Sequence, residues 1–239
     1  MTGDVKGGTP QRTRAYDSSA RRARARENRL AVLRAARELV EERGFTGTTI
    51  ADVARRAGVS PESVYKGFGT KTALVKEVFD VTVAGDDDAV AVSDRPESQL
   101  IRAEPDAAVK LRLFAQGAAA RAERTAGLQL VLRNAAPGNA AIAELWATLQ
   151  AERLTGMEML ARHLVDTGQL RADVDVDQVR DVLWTGISVE VYDLLVRQRG
   201  WEPADYATWL ARMLVSSLLD PPTQAPGGGH VASAPGTST

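Results

Sequence analysis

The chain has 239 residues, of which 44% are hydrophobic and 26% charged, a balance typical of soluble globular proteins with one large or two small domains. It contains no cysteine, which excludes disulfides, thiolate metal sites and cysteine nucleophiles. There is no apolar run long enough to cross a membrane and no secretory pattern at the N-terminus, so we expect a cytoplasmic protein.

The net charge of −1 is distributed unevenly along the chain. Residues 1–83 contain sixteen Lys and Arg against ten Asp and Glu, a net charge of +6. Residues 84–239 contain fourteen against twenty-one, a net charge of −7. Charge asymmetry of this kind predicts that only the N-terminal part of the chain faces a polyanion.

The first predicted helix follows a leader without apolar periodicity. Residues 1–18 are rich in Gly, Thr and Arg, and we expect them to be disordered. Apolar residues then recur at helical spacing from about Ser19 to Arg43, which predicts an amphipathic helix that Gly44 ends.

Two short helices and a fourth, longer one follow. Thr49, with Asp52 three residues later, forms a capping-box pattern and predicts a helix over 50–57, ended by Gly58. Ser60 precedes Pro61, which favours a third helix beginning at that proline. Thr70 is suited to cap a helix from Lys71 to about Ala84.

The turn Gly58-Val59-Ser60 between two short helices is typical of a helix-turn-helix. Glycine is suited to the left-handed conformation that such a turn uses, and Ala57 is small where the two helices must approach closely. A motif of this form places its second helix in the major groove of DNA.

The remaining elements are also predicted to be helical. A polar connector over 85–104 leads to helices over 106–124, 128–135, 140–167, 176–199 and 203–219, and the tail over 221–239 is expected to be disordered. The fold class is therefore all-α, with an N-terminal three-helix DNA-binding head carrying the helix-turn-helix over 19–84, followed by a C-terminal helical bundle over 85–220.

These N-terminal residues resemble the TetR family of bacterial regulators. The likeness extends through the spacing of the first helix and the two helices of the motif, at Leu33, Ala35, Ala36, Leu39, Gly44, Phe45, Thr48, Thr49, Ile50, Ala57, Gly58, Val59, Ser60, Val64, Tyr65, Phe68, Lys71 and Leu74. Gly67 departs from the pattern, because the family often has a His, Tyr or other side chain there beside the DNA backbone.

The resemblance implies roles for individual residues in DNA binding. Thr48 and Thr49 would touch phosphate through hydroxyl or backbone N–H groups, and Lys71 would contact phosphate as well. The recognition helix would be lined by Pro61, Glu62, Ser63, Tyr65 and Lys66. Among these, Ser63 and Lys66 would reach base edges and Tyr65 would hold a phosphate.

The basic leader has two interpretations. Arginines before such a motif can lie along phosphates or enter a narrow minor groove. They can equally form a solvated arm that improves solubility. The residues concerned are Arg12, Arg14, Arg21, Arg22, Arg24, Arg26 and Arg29.

For the C-terminal bundle, the resemblance implies a ligand cavity among the middle helices. It also implies a homodimer in which the last two helices, over about 176–199 and 203–219, pair across a two-fold axis. The cavity candidates are Phe114, Leu128, Leu132, Trp146, Met157, Trp184 and Tyr192. Apolar side chains at helical spacing are also what an ordinary core requires, so these positions fit either interpretation.

The sequence contains no nucleophile–base set, phosphate loop or dinucleotide fingerprint, so we expect no enzyme, no cofactor and no metal site. The favoured function is a sequence-specific transcriptional regulator, with repression the family's common mode, released from a palindromic double-stranded operator by a small-molecule effector. Two alternatives remain: a helical ligand-binding protein without a specific DNA target, and a sequence-tolerant DNA-binding protein.

Overall fold

The computed structural model describes the backbone of residues 13–85 and 94–221, with side chains from Ser19 onward. All the regular structure within these residues is helical, as predicted. The helices are α1 (Thr13–Arg43), α2 (Ile50–Ala57), α3 (Pro61–Phe68), α4 (Lys71–Ala84), α5 (Pro96–Ala103), α6 (Ala107–Ala135), α7 (Ala140–Val165), α8 (Val176–Gly186), α9 (Val189–Tyr192) and α10 (Pro203–Leu218).

The helix signals of the N-terminal head are confirmed. Thr49 and Asp52 form the predicted capping box of α2, and Gly58 ends that helix in the left-handed conformation with φ +70°. Ser60 and Thr70 each accept a backbone N–H at the start of α3 and α4. Local sequence therefore sets the boundaries of the helix-turn-helix.

The first helix begins at Thr13 rather than at Ser19. No Gly or Pro lies between these two residues, so nothing prevents the helix from extending toward the N-terminus. The remainder of the predicted leader, over 1–12, and the predicted tail over 222–239 lie outside the described residues.

Three C-terminal elements differ from the prediction. The polar connector contains α5, which begins at Pro96. The two helices predicted over 106–124 and 128–135 are one continuous helix, α6. The single helix predicted over 176–199 is interrupted at Ile187 and Ser188, and beyond α9 it continues as a π-helical stretch, Asp193–Gln198.

Close packing explains why α6 continues and why α8 ends. A Cβ at Gly127 would lie 3.3 Å from Glu41 Oε1, so this glycine permits a close approach of α1 instead of ending α6. A Cβ at Gly186 would lie only 2.7 Å from Met213 Cε. The Gly186 carbonyl, in turn, accepts a hydrogen bond of 2.9 Å from Tyr206 Oη, so α10 packs directly against the end of α8.

Two hydrophobic clusters share the long helices α6 and α7. The first joins apolar residues of α1–α4 to Leu128 and Leu132 of α6 and to three residues of α7. The second joins α6 and α7 to α8, α9 and α10. Trp146 packs against both clusters. The head is therefore attached to the bundle by apolar packing as well as by the chain.

Polar contacts fix the C-terminal end of α4 to α6. Arg124 of α6 donates hydrogen bonds to Thr82 O (3.2 Å) and Val83 O (3.1 Å), two carbonyls in the last turn of α4. The carbonyl of Arg124 accepts a bond of 2.7 Å from Arg37 Nη2 of α1. Arg124 therefore joins α6 to both α4 and α1 through hydrogen bonds. None of the described helices is long and apolar enough to cross a membrane.

Candidate DNA-binding surface and ligand cavity

Helix α3 presents nearly its whole surface to solvent. Of its eight residues only Val64 is buried, at 1% exposure, and it anchors the helix to α1, α2 and α4. The predicted recognition residues Pro61, Glu62, Ser63 and Lys66 are exposed, and Tyr65 is 56% exposed. Phe68, at the end of the helix, is half-buried and packs against the same cluster. The remaining residues of α3 are available to a partner.

The start of α2 is exposed and polar. The Thr49 hydroxyl donates to Asp52 Oδ2 (2.6 Å) and accepts from the Asp52 backbone N–H (3.1 Å). The hydrogen bond from the Thr49 side chain, with that from Arg55, lowers the pKa of Asp52. The Thr49 backbone N–H also donates to Asp52 Oδ2 (3.3 Å), so both donors of Thr49 are used in the capping box. Thr49 is exposed at a helix N-terminus, the position that the resemblance implies for a phosphate contact, and such a contact would have to replace these bonds.

Thr48 requires a correction, because it is buried at 1% exposure. Its hydroxyl donates to Gly44 O (2.9 Å) and its backbone N–H to Phe45 O (3.3 Å). Both donors that were expected to touch phosphate are therefore used inside the protein. The role of Thr48 in this structure is to shape the loop between α1 and α2.

Lys71 is also engaged within the head. Its Nζ donates hydrogen bonds of 2.8 Å to Phe45 O and of 2.8 Å to Thr48 O, and it lies 4.0 Å from the centroid of the Phe45 ring. Burial lowers the pKa of this half-buried lysine. Lys71 thus connects the start of α4 to the loop that precedes α2, and two of its three N–H donors already have acceptors.

The basic leader is helical where it is described. Arg21, Arg22 and Arg24 lie exposed along α1, whereas the side chains of Arg12 and Arg14 lie outside the described residues. Arg29 also makes contacts within the head, although its side chain is 47% exposed: its guanidinium lies 4.8 Å from the centroid of the Phe68 ring and pairs with Glu77 of α4. This arginine holds α1, α3 and α4 together.

A cavity of about 1210 Å³ lies between the head and the bundle. Its walls come from α1, α4, α6 and α7, and from the junction between α8 and α9. Apolar side chains supply most of the lining, among them Leu30, Leu33, Phe79, Leu149 and Met157. The volume exceeds that of many ligand pockets, which range over about 300–1,000 Å³.

Only Met157 of the seven predicted cavity residues lines this cavity. Phe114, Leu128, Leu132 and Tyr192 are at most 4% exposed and belong to the two hydrophobic clusters. Helical spacing identifies a buried face without distinguishing core from cavity, and for these four positions the core interpretation is the right one.

The two predicted tryptophans lie near the cavity without lining it. Trp146 packs between the two hydrophobic clusters. Trp184 lies behind the cavity wall, with its ring centroid 4.5 Å from the Arg153 guanidinium carbon.

Two arginines of the cavity, Arg121 and Arg153, were missed at the sequence level. A signal for Arg153 was present, because it lies midway between Leu149 and Met157 on the apolar face of α7 at intervals of four residues. Arg121 lies four residues before the buried Thr125 on α6. A charged residue on a buried helix face requires a partner, and it is therefore a site candidate.

A family model described as "Bacterial regulatory proteins, tetR family" matches residues 32–78, from the middle of α1 to the middle of α4. This range contains the whole helix-turn-helix. The chain carries a TetR-family DNA-binding domain. The comparison with curated proteins gave no significant match.

Solved TetR-type structures match the fold across most of the chain. A protein from Rhodococcus sp., described as a TetR-family transcriptional regulator, has a TM-score of 0.63 at 19% identity, over 81% of this chain and 99% of its own. The regulator FadR from Bacillus subtilis in complex with stearoyl-CoA has a TM-score of 0.61 at 18% identity, over 78% and 97%. A regulator from Saccharomonospora viridis in complex with choline has a TM-score of 0.60 at 18% identity, over 81% and 98%.

Proposed function

We propose that this TetR-type protein is a homodimeric, sequence-specific repressor of transcription that a small-molecule effector releases from a palindromic operator. The observation that carries the proposal is the exposure of α3, the second helix of a well-capped helix-turn-helix, on the positively charged N-terminal part of the chain. Such a helix has the shape to enter a major groove, and the basic residues elsewhere in the N-terminal part supply the positive charge.

In this proposal the residues of α3 divide between bases and phosphates. Ser63 and Lys66 reach base edges, Tyr65 binds a phosphate, and Pro61 and Glu62 border the contact at the helix start. Thr49 meets a second phosphate at the start of α2. Lys71 acts mainly by fixing the loop before α2, with its third N–H donor available to phosphate.

The dimer forms, in this proposal, through the region of α8 and α9 and through α10. One side of α10 is buried within the subunit, at Tyr206, Leu210 and Leu214. Exposed apolar area remains for a second subunit. It includes Leu194, which is 53% exposed, and the half-buried Met213 on α10. A two-fold dimer would place its recognition helices about 34 Å apart, one turn of DNA.

The cavity gives the effector a route to the DNA-binding head. Its walls include residues of α4, which begins beside α3 and ends in the hydrogen bonds from Arg124. The dimer is taken to have two states that differ in the position of α4 and in the spacing of the two heads. An occupant that binds one state more tightly shifts the population toward that state, by as much as its affinities for the two states differ. Similar folds hold stearoyl-CoA in one case and choline in another, so effector binding accords with this fold while the charge of the effector varies.

An operator selection tests the proposal. Full-length protein is incubated with a random duplex library at ~150 mM salt, where nonspecific phosphate binding is weakened, and the bound DNA is sequenced. We expect a palindromic consensus with half-sites about 10 base pairs apart or a multiple of that. A flat base profile from folded protein would contradict sequence-specific regulation.

Two substitutions locate the contact surface on the selected duplex. Ser63→Ala should relax base preference at one position of each half-site, with a loss of about 1–3 kcal/mol in discrimination. Arg162→Ala is the matched control, because Arg162 is exposed on α7 and pairs only with Glu158 among the described residues. Equal effects of both substitutions would show that α3 does not read the operator.

A further inference from the structure

The cavity between head and bundle contains more positive charge than its own carboxylates neutralise. Three carboxylates line it, and each has a basic partner. Glu77 pairs with Arg29, while Asp80 and Glu152 both pair with Lys76, at 2.6 and 3.1 Å. The lining has five basic side chains, Arg26, Arg29, Lys76, Arg121 and Arg153, against these three carboxylates, so its net charge is +2. Neither Arg121 nor Arg153 forms an ion pair with a lining carboxylate.

Arg153 is only partly satisfied. Its Nη2 donates to Gln150 Oε1 at 2.7 Å, and its guanidinium carbon lies 4.5 Å from the centroid of the Trp184 ring. The Nε and Nη1 atoms are buried and have no hydrogen-bond acceptor among the described residues. Burial lowers the pKa of Arg153, which reflects the cost of keeping this charge away from water.

Arg121 on α6 lines the same cavity and is half-buried. Its guanidinium makes no hydrogen bond or ion pair within the described parts of the chain. Burial, with a smaller effect from the neighbouring charge of Arg124, lowers its pKa. Close by on α6, the Thr125 hydroxyl donates to Arg121 O and accepts from Gln129 Nε2, and both Thr125 and Gln129 also line the cavity.

The charge of Glu190 favours the charged form of Arg153 without accepting a hydrogen bond from it. A buried guanidinium with two unpaired N–H groups is costly unless a bound group supplies the missing acceptors. The guanidinium fork matches a planar carboxylate in two parallel hydrogen bonds. The rest of the lining is mainly apolar and encloses a large volume. We infer that the effector is an amphipathic anion, with a carboxylate that Arg153 binds through its unpaired Nε and Nη1 and an apolar body in contact with Leu30, Phe79 and Met157.

This inference rests on the proposed function only for the consequence of binding, because ligand affinity is measured without DNA. The occupant would contact α4 through Phe79 and Val83 on the cavity wall. Binding at Arg153 would therefore bring the charged end of the ligand to α7, and its apolar end to α1 and α4. This arrangement would connect ligand affinity to the position of the head.

The first test compares ligands that share one chain and differ in their head group. Decanoate, decyl phosphate, 1-decanol and decyltrimethylammonium are titrated into full-length protein, with binding followed by calorimetry and by tryptophan fluorescence, to which Trp184 contributes. We expect decanoate to bind at least about tenfold more tightly than 1-decanol or the cation, since a charge-assisted hydrogen bond strengthens binding by that order. Equal affinity for decanoate and 1-decanol would overturn the inference.

The comparison of decyl phosphate with decanoate identifies the preferred head group. If decyl phosphate binds more tightly than decanoate, the assignment of a carboxylate is overturned. Acetate is included to test the apolar contribution. Saturation of the site by acetate at concentrations similar to those of decanoate would overturn the amphipathic part of the inference.

Two substitutions then assign the charge. Arg153→Gln should weaken decanoate binding at least about tenfold and leave 1-decanol binding unchanged. Arg121→Gln, which removes a positive charge from the same cavity, should weaken decanoate binding less. Arg162→Gln, an exposed arginine of the same helix as Arg153, is the control and should change neither. If a cavity variant fails to fold, the head-group series on the unmodified protein still decides the question.

Failure here is distinguishable from failure of the proposed function. A palindromic consensus together with no preference for anions would overturn the anionic effector and leave the regulator intact. Preference for decanoate together with a flat DNA profile would support the cavity assignment and contradict the regulator.

Discussion

Lys71→Met tests whether the lysine at the start of α4 organises the loop before α2. The substitution keeps most of the length of the apolar side chain. It deletes two hydrogen bonds of 2.8 Å, to Phe45 O and Thr48 O, together with the contact 4.0 Å from the Phe45 ring centroid. Burial lowers the pKa of Lys71, which shows that its charge is costly to desolvate. Removing the charge relieves this cost and offsets part of the lost stability.

The expected magnitude follows from these contacts. A hydrogen bond from a charged donor contributes about 1.5–3 kcal/mol, and a cation–π contact at an exposed site about 0.5–1 kcal/mol. Because Lys71 is only half-buried, the lower values apply and the relief of desolvation reduces their sum. We expect the free energy of unfolding to fall by about 2–3 kcal/mol, and the melting temperature by about 5–10 °C.

Thermal unfolding followed by far-UV circular dichroism measures the loss of stability. Lys66→Met is the control, because Lys66 is exposed and makes no hydrogen bond or ion pair within the described residues, so its stability effect should stay within about 0.5 kcal/mol. The salt dependence of operator binding then separates the two roles of Lys71. A positioning role leaves the slope of log affinity against log salt unchanged, whereas a direct phosphate contact lowers it by about 0.9 per subunit.

An unchanged melting temperature combined with a reduced salt slope would refute this reasoning. It would mean that the Lys71 ammonium binds phosphate and that the two carbonyls do not depend on it. Loss of stability with an unchanged slope would confirm that Lys71 acts through the loop.

Further predictions concern the proposed recognition helix α3, the end of α4 and the half-buried His163. A Cβ at Gly67 would meet no atom within 4 Å, and alanine favours a helix more than glycine does. Gly67→Ala should therefore raise the free energy of unfolding, measured by urea denaturation, by about 0.5–1 kcal/mol. A loss of stability would count against the helical geometry of α3. Arg124→Met removes two hydrogen bonds to carbonyls in the last turn of α4 and should lower the free energy of unfolding by about 1–2 kcal/mol. Amide hydrogen exchange in that turn should become faster. Unchanged exchange would contradict a stabilising role of Arg124. Burial and the charge of Lys110, whose Nζ lies 2.9 Å from His163 Nε2, lower the pKa of His163 below 6.5. The unfolded chain therefore takes up this proton first, so the stability contribution present above pH 6.5 is lost as the pH falls from 6.5 through the folded-state pKa. His163→Gln should consequently flatten the decline of melting temperature between about pH 7 and 5, whereas an unchanged decline would exclude the effect.

Local signals predicted the head well because each of its boundaries depends on neighbouring residues. Thr49, Ser60 and Thr70 cap the helices that follow them, and Gly58 supplies the left-handed turn. Such interactions span three or four residues, so the sequence contains all the information that they require.

The errors arose where distant residues determine the structure. Gly127 continues a helix because Glu41 lies close by, and α8 ends where Tyr206 and Met213 of α10 approach Gly186. Burial of Thr48 and the position of the cavity likewise depend on tertiary packing. An isolated sequence shows which helix face is apolar, but not which apolar residues leave a space between helices.

The specificity ratio of the protein on DNA tests the central claim most directly. Fluorescence anisotropy gives the affinity of full-length protein for its selected duplex and for a scrambled duplex of equal length and composition, both at ~150 mM salt. A regulator that reads bases through α3 should prefer the selected duplex by about a thousandfold or more. A ratio near one would contradict that claim and would mean that the exposed helix contacts only the DNA backbone.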